Sequence, residues 1–408
     1  MTILRRDAGD AGDEEVSWAM PIRSWLWVLW VGAAALPVGA CAVRTEIPGA
    51  APPVGQGGRA DWPGDERGLV FLWHDASRAN QVAGLDGRPA RPCRVGARGA
   101  ARLYRFHDMD LAGGAFLAED VDDRLLAACK ASGRLTVEAV ITPDSVKQPG
   151  RAAIVSFSGG DSSRNFALVQ KGEDLVLLLR TRSDGAGASD GPVLCKLAAG
   201  EPHHVIVSYA AGTTACYLNG VEVSVSRAVR GDFGNWTPQR LVFGDEYAGG
   251  GDWAGRLEGI AVYSRFVDAA EAKRKDALYR PRLANRKPAR RLILLGRLRQ
   301  AAATPTVKAI HPYRRCLAVH TYEVQEVLSG RYDRRRILVA HWVILDARVV
   351  GFRRRIGRTY RLTVEPFADH PQLATERVMT TPDQLDPEMY YDVERTSAGT
   401  GPKVAGQP

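Results

Sequence analysis

Between residues 68 and 265 short apolar runs recur with turn-forming residues between them. The runs are GLVFLW (68–73), LTVEAVI (135–141), AAIVSFS (152–158), NFALVQ (165–170), DLVLLLR (174–180), HHVIVSY (203–209), ACYLNGVEVSV (215–225), RLVFGD (240–245) and GRLEGIAVYSR (255–265). Gly, Asp, Ser and Pro punctuate them, at the spacing expected of a β-sandwich or barrel. Asn219-Gly220, flanked by Tyr217, Leu218, Val221 and Val223, predicts a tight hairpin, because both residues accept positive φ. One helix is predicted over 267–279 (VDAAEAKRKDALY), with Asp268 as its N-cap. The acidic run Glu119-Asp120-Val121-Asp122-Asp123 has no alternating apolar partner and reads as a turn or a helix start.

A second unit begins where acids vanish. Residues 280–300 carry none. Strand-like runs follow at 316–328, 335–345, 348–352 and 358–367, punctuated by Gly330, Asp346 and Gly357. About five strands in this length predict a small barrel of OB type. The stretch YEVQEVLSGRYDRRRILVAHW resembles a V-x-x-V-L-x-G, I-x-V pattern of exported OB-like domains. The fold class is therefore all-β, a sandwich over 66–280 followed by a basic β domain over 290–392. The small polar tail 393–408 reads as disordered.

Residues 24–40 (SWLWVLWVGAAALPVGA) hold no charge and follow Arg23. A basic flank, a short apolar run and small residues at its end describe an export signal. The run is shorter than the roughly 20 residues of a comfortable membrane span. Asp7, Asp10, Asp13, Glu14 and Glu15 precede it, and Met20 offers a tidier start than Met1. Val38-Gly39-Ala40-Cys41 resembles a bacterial lipobox, which makes Cys41 the candidate lipidation site, although Pro37 departs from the pattern. A lipid-anchored protein, a plain secreted one and an uncleaved anchor all remain open. Residues 42–65 read as a Pro/Gly linker. The expected location is the cell envelope, on a membrane through a lipid or in the periplasmic or extracellular space, with no nucleic-acid partner.

Export places the remaining cysteines in an oxidising compartment. Cys93, Cys129, Cys195, Cys216 and Cys316 are five, so at least one stays unpaired. A simple meander sets Cys195 and Cys216 two strand spacings apart, each about 4.8 Å, beyond bridging. Cys93–Cys129 is the expected disulfide. The alternative is that all five are small buried hydrophobes.

Four pieces in order resemble the laminin-G-like jelly rolls, which are concanavalin A-like sandwiches. They are the opening strand Thr136–Pro143, the strand His203–Tyr209, the hairpin Tyr217–Gly220 and the closing strand Trp253–Arg265 that leads to a short helix. Val140 stands where the family's opening strand often has Trp. The resemblance implies a jelly roll and is weak for function, because a fold hosts many functions. Laminarinase-type members carry E-x-D-x-x-E on one strand face, and no strand here does. The G-x-S-x-G, HExxH and Walker-type motifs are missing as well. The resemblance also implies a calcium option, with Asp161, Asp245, Glu246 and Asp252 as the loop acids available. No other metal or cofactor is expected. His203 and His204 are adjacent on a strand and point to opposite faces. His311, His320, His341 and His370 are scattered.

Sugar binding uses exposed aromatics, and Trp236 and Tyr247 are the candidates, with Asn235 and Asp245 as hydrogen-bond partners. Trp73, Trp253 and Trp342 read as core. Composition adds one further feature. The chain of 408 residues is 45% hydrophobic and 25% charged, which excludes a disordered chain, and its net charge is +9. Between Arg280 and Arg361 stand 21 basic and four acidic side chains, so the rest of the chain is net acidic. Arg suits carboxylate and phosphate because its planar fork binds two oxygens. Arg334, Arg335, Arg336, Arg353, Arg354 and Arg355 are the anion-binding candidates; a merely solvated basic face is the plainer reading. The expected function is non-catalytic binding of a polysaccharide or anionic envelope polymer. A polysaccharide hydrolase or lyase, or a module holding a protein partner, is the alternative.

Overall fold

The computed structural model describes residues 62–73, 80–82, 91–93, 95–104, 108–160, 163–183, 191–381 and 388–394, with backbone alone for 80–82, 91–93 and 104. The leader with Cys41, most of the linker, the Cys93 side chain, Asp161 and the terminal tail lie outside the described residues.

In chain order the elements are β1 (Leu69–Trp73), β2 (Asn80–Val82), β3 (Arg91–Cys93), β4 (Val95–Gly99), β5 (Arg102–Tyr104), β6 (Asp108–Asp110), β7 (Gly114–Ala118), α1 (Asp122–Ser132), β8 (Leu135–Pro143), β9 (Ala152–Ser158), β10 (Arg164–Lys171), β11 (Asp174–Leu179), β12 (Val193–Lys196), β13 (His203–Ala210), β14 (Thr213–Leu218), β15 (Val221–Ser226), β16 (Arg240–Phe243), β17 (Gly255–Tyr263) and α2 (Ala269–Ala284). The second unit adds β18 (Leu292–Ala301), β19 (Cys316–Ser329), β20 (Arg336–Leu345), β21 (Arg348–Val349), β22 (Thr359–Pro366), β23 (Arg377–Met379) and β24 (Met389–Asp392).

Two sheets face each other as a jelly roll. One runs β15-β14-β13-β8-β17-β1-β2-β3, with β6 also on β17 and β5 on β6; the other runs β12-β11-β10-β9-β16-β7-β4. Their inner faces share one core that includes Phe71, Phe116, Phe157, Phe166, Val207, Phe243 and Val262. The outer face of the first sheet is covered by α2, which packs Tyr279 against Trp62, Leu72, Val140 and Tyr263. That cover explains why all nine positions of β8 are buried. A strand covered on both faces must bury its outward polar residues. Glu138 accepts from Tyr263 Oη at 3.0 Å, from the Trp62 indole, and lies 3.1 Å from both Lys275 Nζ and His204 Nε2. Local chemistry sets the ends as expected: Asp268 accepts from the Glu271 amide at 2.8 Å and caps α2, and Asn219 and Gly220 turn the β14–β15 hairpin at φ 53° and 78°.

The second unit is a closed barrel. Strands β18, β19, β20, β24 and β22 pair in that order and β22 returns to β18; only the β20–β24 seam is parallel. This is the OB-type barrel the strand count predicts. Leu294, Leu298, Tyr322, Val339 and Leu362 fill it. Jelly roll and barrel fall within one compact unit. Arg102 Nη1 donates to the Val393 carbonyl at 2.8 Å, the Gly99 amide to Asp346 Oδ2 at 2.8 Å, and His370 Nδ1 lies 3.1 Å from the Leu103 carbonyl.

The structure corrects both cysteine expectations. Cys129 is a free thiol on α1, buried in the core beside Leu125, so the expected Cys93–Cys129 bridge is absent. Cys195 and Cys216 are not two places apart in one sheet. The chain between β11 and β13 crosses so that β12 joins the opposite sheet, above β14. Trp342 is half-buried rather than core, its indole donating to Tyr391 Oη at 2.8 Å.

Candidate functional site

A candidate surface site is the loop 244–253 (GDEYAGGGDW) between β16 and β17. It begins at Gly244, whose φ of 91° and contact with Leu111 leave no room for a Cβ. Asp245 holds the loop closed: its Oδ1 accepts from the Glu246 amide at 2.8 Å and the Gly251 amide at 2.7 Å. The Gly249 amide donates to the Glu246 carbonyl at 3.0 Å, and the Ala153 amide to the Gly251 carbonyl at 2.7 Å. Trp253 closes the loop from inside the core, donating to Gln170 Oε1 at 2.7 Å.

Tyr247 is the exposed aromatic of this loop, 39% exposed. The guanidinium of Arg98, from β4, lies 4.4 Å from its ring centroid and donates to its carbonyl at 3.0 Å. Such a stack fixes the ring at little entropic cost. Next to it Glu246 is buried and ion-paired with Arg164, whose Nε donates at 2.7 Å. Burial and the charge of Asp245 push the Asp252 carboxyl up from its ordinary value. The site thus offers an oriented aromatic face, a guanidinium and a rim of acid and amide groups. Glu246 is ion-paired with Arg164, and Asp245 Oδ1 accepts from two amides. No group of three or more His, Cys, Asp or Glu side chains among the described residues is arranged to hold a metal.

The other sugar-binding candidates lie elsewhere, and the structure corrects them. Trp236 is 2% exposed, stacks on Phe233 with centroids 4.2 Å apart, and donates to the Arg180 carbonyl at 2.7 Å. Asn235 Nδ2 donates to the Thr181 carbonyl at 2.6 Å. The two fasten the 231–237 loop to the chain leaving β11.

The arginine clusters divide. Arg334, Arg335 and Arg336 are exposed, and Arg335 shares Glu323 with Arg299, with contacts of 2.8 Å to Nη2 of Arg335 and 2.8 Å to Nε of Arg299. Arg353 and Arg355 are exposed as well. Arg354 is not: it turns into the barrel and donates to Tyr322 Oη at 3.2 Å and Asp392 at 3.2 Å. Alternation within an extended segment turns the middle arginine opposite to its neighbours. There it joins a chain that sequence spacing did not reveal, in which His341 Nδ1 lies 2.8 Å from Asp392 and Nε2 lies 3.1 Å from Tyr322 Oη. Burial lowers His341 despite Asp392, and burial with His341 and Arg354 brings the stacked His320 to about 3. Tyr322 is fully buried, and His341 and Asp392 are largely so. His203 and His204 face opposite sides, the first beside the Ala198 amide at 3.0 Å and the second under α2.

No curated protein matches the chain. A mutant sialidase of Trypanosoma rangeli with trans-sialidase activity is 15% identical, with a TM-score of 0.39 over 54% of this chain and 34% of that one, so the match spans about a third of the sialidase. Domain 4 of the extracellular arabinanase AbnA of Geobacillus stearothermophilus, solved with arabinotriose, is 15% identical, with a TM-score of 0.37 over 51% and 98% of the two chains. Botulinum neurotoxin type C, whose cell entry depends on two ganglioside molecules, is 10% identical, with a TM-score of 0.41 over 74% and 82%. A family model described as the concanavalin A-like lectin/glucanases superfamily matches residues 120–273, the span of α1, the sandwich strands from β8 to β17 and the start of α2. Residues 120–273 of this chain are a concanavalin A-like domain of that superfamily.

Proposed function

We propose that the protein is an exported, non-catalytic carbohydrate-binding protein that takes glycan at the 244–253 loop and anionic polymer along the basic barrel. The observation that supports the first part is Tyr247, exposed on a closed loop and backed by Arg98. A fixed, solvent-facing ring is what stacking on the apolar face of a sugar requires. The adjacent acid Glu246 is bound up in its ion pair with Arg164, which leaves it unfit as a general acid or nucleophile. For the second part the support is that Arg334, Arg336, Arg353 and Arg355 are all exposed, in a segment almost without acids. The export signal at 24–40 and the lipobox-like Cys41 supply the reading of place: the envelope, by a lipid.

The test is binding of the chain to a panel of neutral and uronate-rich polysaccharides at low and high salt. Salt-insensitive binding to a neutral glycan, weakened about tenfold by Tyr247→Ala, is the expected result for the loop. Binding confined to acidic polymers and abolished by salt would assign the function to the arginines alone. Release of reducing ends or unsaturated uronate from any polymer would overturn the non-catalytic reading.

A further inference from the structure

Two thiols meet between the sheets of the sandwich. Cys195 lies on β12, the edge strand of the second sheet, opposite Leu175. Cys216 lies on β14 of the first sheet, opposite Val207. Leu175, Val207 and Cys216 all belong to the core between the sheets, and Cys195 packs against it. Facing sheets normally stand about 10 Å apart. At this edge Cα atoms of β12 come within 8 Å of those of β14 and β15. Disulfides need Cα atoms roughly 4.4–6.8 Å apart, so the closing of the sandwich edge brings this pair toward bridging distance. The two thiols lie within side-chain hydrogen-bond reach of each other. Both are free, Cys195 half-exposed and Cys216 buried. Cys129 and Cys316 are buried too, and the Cys316 thiol contacts the Leu317 carbonyl at 3.5 Å.

We infer that Cys195 and Cys216 form a redox-modification site, which a low-molecular-weight disulfide converts to a bond between the two sheets. The thiolate of the more accessible Cys195 attacks one sulfur of the reagent, whose S–S bond breaks and releases one reagent thiol. The Cys216 thiolate then displaces the second reagent thiol and closes the Cys195–Cys216 bond. Two protein thiols are oxidised, two reagent sulfurs are reduced, and the two protons leave on the released thiols. The bond ties an edge strand that pairs on one side only, and it encloses 20 residues between the cysteines.

The experiment incubates the full chain with oxidised glutathione, alkylates it under denaturing conditions and maps the peptides by mass; a dithiothreitol-treated sample runs in parallel. The expected result is the Cys195 peptide joined to the Cys216 peptide, with Tm roughly 5–10 °C above that of the reduced chain. Cys195→Ser, at a half-exposed position, should abolish the linked peptide and the Tm difference, and Cys129→Ser should leave both. Alkylation of both Cys195 and Cys216 in the oxidised sample, or Cys195 joined to any other cysteine, overturns the inference. The peptide map of the unmutated chain decides this even if a variant fails to fold.

Discussion

Tyr247 and Trp236 differ in what their truncation removes. Trp236→Ala strips a ring packed among Phe157, Phe166 and Phe233 and leaves the Arg180 carbonyl unpartnered. It should destabilise the fold by about 3–5 kcal/mol. Tyr247→Ala removes an exposed ring and should leave Tm unchanged while weakening glycan affinity. Thermal denaturation and binding of the two variants separate these effects, and a stable Trp236→Ala that binds no glycan would return that residue to the site. The arginine triplet divides in the same way. Arg354→Ala leaves buried Asp392 facing a neutral His341 and should destabilise by about 3–5 kcal/mol. Arg353→Ala, on the surface, should alter only polyanion binding. Residue identity alone could not make these distinctions. A Trp beside an Asn looks the same in a sugar site and in a core, and three successive arginines look equally solvated until the backbone direction turns one of them inward. Asp245 was readable as a loop acid, but its role as the clasp of the loop depends on amides that only the folded turn presents.

At the scale of elements, the parts governed by neighbours in sequence were readable: the Asp268 cap, the Asn219-Gly220 turn, the helical start near Asp122 and most strands. The parts governed by distant contacts were not. Which sheet β12 joins depends on a crossover, and that choice decides whether Cys195 meets Cys216. The polar set beneath α2 was equally hidden, because Glu138 sits in an apolar run and gains partners scattered along the chain from Trp62 to Lys275 of the helix. Lys275→Met would strand Glu138 in the interior and should cost about 3–5 kcal/mol, largely restored by adding Glu138→Gln. Chemical denaturation of the single and double variants measures this. The same set predicts a pH profile. Burial opposes the ionisation of Glu138, but Lys275 and His204 outweigh it and bring the carboxyl from 4.5 to about 2. Its stabilisation is present above 4.5 and is lost as pH falls toward 2. Burial likewise opposes charge on His204, and Asp276 with Glu138 raise it above 6.5. That contribution is complete below 6.5 and is lost as pH rises through the elevated value. Tm should therefore decline on the alkaline side of 6.5, and His204→Gln should remove that decline; an unchanged alkaline limb would mean that His204 folds uncharged.

For the whole molecule, the question is whether jelly roll and barrel unfold as one. Composition separates them, a sandwich of balanced charge and a basic barrel, and from charge alone they read as independent domains on a linker. The contacts oppose that picture. Arg102, buried in the jelly roll, donates to the Val393 carbonyl at the end of the barrel's last strand and pairs with Asp110. Arg286, beyond α2, pairs with the buried Glu258 of β17. The barrel's Asp346 caps the Gly99 amide, and His370 reaches the Leu103 carbonyl while its other nitrogen stands 2.9 Å from Glu365. A surface ion pair contributes little, whereas a buried guanidinium shared between two units is costly to strand. Opening this junction would take the Val393 carbonyl from buried Arg102, Asp346 from the Gly99 amide and the Leu103 carbonyl from buried His370, so neither unit gains by unfolding alone. Calorimetry of the intact chain should show one transition that includes both units. Arg102→Ala should split it, with the barrel melting first, because its core is the smaller of the two. Two separate transitions in the unmutated chain would show that the units are merely adjacent. In that case glycan bound at the 244–253 loop would raise the melting temperature of the jelly roll alone; in a coupled molecule it raises the single transition of both.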